Sequence, residues 1–169
     1  FAAQQGFHWD DWGFVWMAYF GGAGRLLRYF AITRPILAYN YMLTMPVIGA
    51  SPLAWQIFAL IGRAFHAIAL WWALKQIWPE RKWEIFWISL LVLVYPGFSQ
   101  HSVAIAFGHY AYLFGFFWLS IGLMLVSYRS TTQWKWIAAF LAIFLSLWQL
   151  LSSEYYFGLE LLRPIFLWV

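Results

Sequence analysis

The chain has 169 residues, 64% hydrophobic, 24% aromatic and only 9% charged, so apolar that lipid must be much of its solvent. The net charge of +4 is modest, and the basic residues gather in short loops, which is a membrane-topology pattern rather than a nucleic-acid footprint. Cysteine is absent, which excludes a disulfide framework, a thiolate metal site and a cysteine nucleophile.

Residues 1–11 are polar and aromatic and read as a loop. Asp10 or Asp11 can cap the helix that follows, because a carboxylate there accepts from free backbone N–H groups. The apolar stretch 12–20 is broken by Gly21, Gly22 and Gly24. Residues 24–30 resume a helix with Arg25 and Arg28 three apart on one face. Both pieces are too short to span and suit the headgroup layer. Thr33-Arg34-Pro35 starts another helix, since proline is tolerated in a first turn, and it runs to about Gly49 as an interfacial or re-entrant segment.

Ser51-Pro52 opens the first clear span, which ends at Lys75. Between 52 and 74 its only ionisable residues are Arg63 and His66. A short second span covers 83–98, with Pro96 near its end. Residues 99–109 are a more polar connection carrying His101 and His109. The third span is 110–128 and the fourth 136–152, separated by the basic loop 129–135. Glu154 follows, and a fifth span begins at Leu159 with Glu160 and Arg163 near its start. The expected fold is all-α: a polytopic transmembrane helical bundle over 51–169, preceded by an external loop with interfacial helices over 1–50. The chain starts at Phe1 rather than Met and stops inside an apolar run, so it is expected to be a fragment of a longer protein.

Lys75, Arg81, Lys82, Arg129 and Lys135 fall in the two loops that alternation puts on one side of the membrane, and the loop 99–109 has no Lys or Arg. The basic side is expected to be cytoplasmic, which puts Asp10, Asp11, His101, His109 and Glu154 outside. Single cysteines placed in this cysteine-free chain test the orientation. An impermeant thiol reagent applied from outside should label a cysteine at position 10 and spare one at position 79; labelling at 79 reverses the topology.

Asp10-Asp11 beside Trp9 and Trp12 can be read as a catalytic base at a cavity mouth, taking the proton of an attacking hydroxyl, or as a helix cap. His8 could join the pair around a divalent cation, although no cofactor is demanded by the spacing. Arg25, Arg28 and Arg34 could hold a phosphate through bidentate guanidinium forks or could reach toward lipid headgroups. Arg63 and His66 are costly in hydrocarbon and should face the bundle, with Gln149 as a candidate partner. They could instead line the path of a transporter or flippase. His101 and His109 can simply be solvated, and Glu154 can be a cap at a helix boundary.

The order of these features resembles the GT-C superfamily of integral membrane glycosyltransferases, in particular its protein-mannosyltransferase-like branch. The resemblance covers nearly the whole chain. It rests on the acidic pair Asp10-Asp11, the interfacial helices, Arg34-Pro35, the polar positions Arg63 and His66, Tyr95-Pro96 after a short span, and Ser153-Glu154. The family has His before that proline and Lys before that glutamate, where this chain has Tyr95 and Ser153. The resemblance implies a polyprenyl-phosphate sugar donor and an acceptor hydroxyl on a glycan, lipid or protein. It implies Asp10 or Asp11 as the catalytic base and Arg25, Arg28 or Arg34 at the donor phosphate. It implies an active site on the outer face of a bacterial inner membrane.

Overall fold

The computed structural model describes residues 6–95 and 102–168, and all regular structure among them is helical. The elements are α1 Asp10–Gly21, α2 Ala23–Phe30, α3 Pro35–Ile48, α4 Pro52–Ile77, α5 Lys82–Val94, α6 Ala104–Arg129 and α7 Trp134–Ser152. A 3-10 turn, Glu154–Tyr156, leads into α8 Phe157–Glu160 and α9 Leu162–Trp168. Local chemistry explains most boundaries. Pro35 sits in the first turn of α3, where its missing N–H is no loss. Gly49 closes α3 at φ 68°, and Gly22 separates α1 from α2 at φ 67°, a region glycine enters without a Cβ penalty.

Among the described residues three helices are long and apolar enough to cross a bilayer: α4, α6 and α7, of 26, 26 and 19 residues. This is an integral-membrane architecture, with three such helices where the sequence suggests four full spans. The expected second span is α5, whose 13 residues reach only about 20 Å against a hydrocarbon core of about 30 Å. The expected start of a fifth span falls on α8 and α9. Pro96 and His101 lie outside the described residues. Of the polar connection expected over 99–109, residues 104–109 are corrected to helix, since α6 begins at Ala104 and includes His109.

The described chain divides into two compact units. The first holds α1, α2, α3, the start of α4 to Arg63, and α6 to Tyr112. Its core includes Leu26, Phe30, Leu37, Tyr41 and Trp55. Phe14, Phe30 and Tyr41 stack with ring centroids 5.0–5.8 Å apart. The second unit holds the rest of α4 and α6 with α5, α7, α8 and α9. Its core is Leu70, Leu74, Ile77, Ile85, Phe117, Ile121 and Leu125. In this unit α7 leaves Ile137, Phe140, Ile143, Phe144 and Leu147 uncovered, as a helix solvated by lipid does.

In both units α4 packs on α6 through glycines at a spacing of seven. Gly108 meets Ala59 and Phe58 in the first unit; Gly115 meets Phe65 and Gly122 meets Trp72 in the second. Small residues let apolar helices approach closely where hydrophobic burial cannot drive association. A Cβ at Gly122 would overlap the Trp72 ring, whereas one at Gly158 in α8 would meet nothing within 4 Å. Gly122→Ala should therefore destabilise by about 1–2 kcal/mol despite alanine's helix preference, while Gly158→Ala should be neutral or slightly stabilising. Equal unfolding temperatures for the two variants in detergent would show that the seam carries no such constraint.

Candidate functional site

The acidic pair is split by the fold. Asp11 is only 1% exposed, and its carboxylate accepts three backbone N–H groups from the first turn of α6. Oδ2 takes Ala104 N at 3.0 Å, and Oδ1 takes Ile105 N at 2.9 Å and Ala106 N at 3.0 Å. A helix start leaves such donors orphaned, and a negative charge there also meets the positive end of the helix dipole. The sequence suggested an acid capping the helix that follows it. Instead α1 has no side-chain cap, and Asp11 caps a helix 93 residues downstream. Burial raises the Asp11 pKa above the ordinary aspartate value, opposed by the N–H groups of Ala106, Ile105, His8 and Ala104.

Asp10, its neighbour, is exposed. The two acids are consecutive residues in the first turn of α1, so helix geometry turns their side chains about 100° apart. That rotation sends the Asp11 carboxylate to the start of α6 and leaves Asp10 at the surface.

A polar cluster surrounds the cap. Tyr41 is fully buried, and its hydroxyl lies 3.3 Å from both Ile105 O and Ala106 O. Its pKa is driven well above the ordinary tyrosine value, first by burial, then by Tyr110, Asp11 and Asp10, with Arg34 opposing. Arg34 Nη1 donates to the Tyr110 hydroxyl at 3.2 Å. Thr44 Oγ1 donates to Asn40 O at 2.8 Å and lies 3.0 Å from His109 Nε2. His109 Nδ1 lies 3.4 Å from Ile105 O; a proton on Nε2 serves the Thr44 oxygen and a proton on Nδ1 serves the Ile105 carbonyl, so the two contacts belong to alternative tautomers. His109 is 3% exposed and packed against Tyr41, Trp55 and Phe58, so it is a core residue and not a solvated loop histidine. Gln56 Nε2 holds Ser102 O at 2.8 Å and fixes the chain entering α6.

The other expected site residues distribute differently. Of the three arginines only Arg34 joins the cluster. Arg25 and Arg28 are exposed on the amphipathic α2, opposite its buried Leu26 and Phe30, with the Arg25 stem folded over Gly21. His66 stacks on Phe114 with centroids 5.3 Å apart, and Arg63 is half-buried on the same helix. Gln149 is not their partner; its Nε2 donates to Glu160 Oε1 at 2.6 Å. Glu160 also receives Arg163, which donates to Ser120 Oγ at 2.7 Å, a partly buried network in the second unit. Glu154 is exposed at the start of the 3-10 turn. Among the described residues no three His, Asp or Glu side chains converge as a metal site.

Tyr41, Thr44 and Tyr110 carry no signal in the sequence that would mark them. The cap itself does leave one. Val103 precedes α6 where a Ser, Thr, Asn or Asp would ordinarily stand, so the donors of this helix had to be satisfied from elsewhere in the chain. No family model, curated protein or solved structure matches the chain.

Proposed function

We propose that the chain is part of an integral membrane glycosyltransferase of the GT-C type. In this reading it moves a sugar from a polyprenyl-phosphate donor to an acceptor hydroxyl of a glycan, lipid or protein on the outer face of a bacterial inner membrane. The observation that supports it best is the division within the acidic pair: Asp11 is consumed by the cap of α6, and Asp10 stands exposed beside it. A base must be accessible and held in place, and the capped neighbour supplies the second condition.

The acceptor oxygen would form a bond to the anomeric carbon while its proton passes to the Asp10 carboxylate. The bond from the anomeric carbon to the phosphate oxygen breaks, and its electron pair leaves with the lipid phosphate. Arg34, in the same cluster, would hold that phosphate as its charge grows, and the exposed Arg25 and Arg28 would receive lipid headgroups. A divalent cation is given no role. The transport alternative needs a polar path at Arg63 and His66, and the stacking of His66 on Phe114 does not favour one. Transfer assays of Asp10→Asn and Asp11→Asn in membranes supplied with a polyprenyl-phosphate sugar test the reading; normal transfer by both would defeat it.

A further inference from the structure

A groove of about 380 Å³ runs between α4 and α5 in the second unit. Its walls are Ala64, Ala67 and Ile68 from α4 and Leu90 and Leu93 from α5, so it is almost wholly apolar. Two residues, Trp71 and Phe86, also line a second hollow of about 290 Å³ that carries Lys75, Lys82 and Trp83. The two spaces are therefore neighbours along the helix pair, with Trp71 and Phe86 as shared walls, the first apolar and the second basic and aromatic. Lys75 Nζ lies 4.5 Å from the Trp71 ring centroid, which keeps its stem against the groove mouth. Among the described residues neither lysine is in an ion pair, and the nearby Glu84 pairs with Arg81 at 3.9 Å. Glu80, in the same turn, is exposed.

From Ala64 to Lys75 is eleven residues of helix, or about 16 Å, which is close to half of a hydrocarbon core of about 30 Å. Together the two hollows thus extend about one leaflet, with their cations at the level where headgroups begin. We propose that this groove binds an anionic phospholipid, its phosphate between Lys75 and Lys82 and one acyl chain in the slot between α4 and α5. Charge selects the headgroup, because basic pockets between membrane helices favour anionic lipids over zwitterionic ones. The tryptophans suit the interface, where one end of the ring is apolar and the other wet. This site uses none of the residues assigned to sugar transfer, so it stands or falls separately.

The test is native mass spectrometry of the intact protein, purified in detergent and offered equal amounts of phosphatidylglycerol and phosphatidylcholine. Wild type should retain phosphatidylglycerol in preference. Lys75→Gln/Lys82→Gln should weaken that retention about thirty-fold, from two basic residues near the membrane surface. Lys75→Arg/Lys82→Arg should restore it, which separates charge from damage to the fold. Ala67→Phe, which fills the slot and leaves the lysines, should weaken it as well. Equal retention of the two lipids by wild type overturns the proposal, as does wild-type retention by the glutamine variant. Preferential retention of an added polyprenyl phosphate over phosphatidylglycerol would reassign the groove to a different lipid and overturn it too.

Discussion

Asp11→Ala should destabilise the protein by about 2–4 kcal/mol, more than the roughly 0.5–2 kcal/mol of an ordinary lost cap. The reason is the burial of the site. The three donors of Ala104, Ile105 and Ala106 converge on one carboxylate that is 1% exposed, and alanine leaves all three without an acceptor. Each unsatisfied buried donor costs about 1–3 kcal/mol, and water admitted to the space recovers part of the sum. Asp11→Asn should cost less, about 1–2 kcal/mol. Its carbonyl can still serve Ile105 and Ala106, but the amide nitrogen then faces the Ala104 N–H, donor against donor. Thermal unfolding in detergent should rank wild type above Asn above Ala. Hydrogen exchange should show the loss at the start of α6 first. An alanine variant that unfolds with wild type would mean the cap contributes nothing.

The cap also marks where sequence reading stops. Features set by neighbours in the chain were legible: Pro35 opening α3, Gly49 closing it, the break at Gly22, and the basic turns after α4 and α6. The start of α6 was not. Residues 102–109 carry a histidine and no local cap, so they read as a connection, while the group that stabilises their helix is Asp11. A polarity scan sees His109 as wet; its burial depends on Tyr41, Trp55 and Phe58, which the fold brings to it. The seven-residue spacing of Gly108, Gly115 and Gly122 is visible in the sequence, as is that of Phe58, Phe65 and Trp72. Their meaning needs α4 set beside α6. Gln149 illustrates the same limit at short range: the polar residues of a span invite pairing with Arg63 or His66, and Glu160, eleven residues on, takes the bond.

Asp10→Asn should lower sugar transfer by roughly 10²–10⁴-fold, the range for losing a general base, while leaving the folded protein intact. The substitution keeps the shape and removes the proton acceptor. The N-cap position of α1 is Trp9, which makes no side-chain cap hydrogen bond, and Asp10 stands exposed in the first turn. Its remaining structural contribution is its charge in the first turn of α1, about 0.3–1 kcal/mol, so the unfolding temperature should stay close to wild type. Asp11→Asn should behave in the opposite sense. Stability falls, and transfer per folded molecule falls only as far as the Asp10 backbone loses its anchor. Measuring transfer and unfolding on the same preparations separates the two carboxylates. If Asp11→Asn abolishes transfer at full stability while Asp10→Asn is silent, the base is the buried residue and the division of labour is wrong. If both variants transfer at the wild-type rate, the acidic pair is purely architectural and the glycosyltransferase reading loses its chemistry.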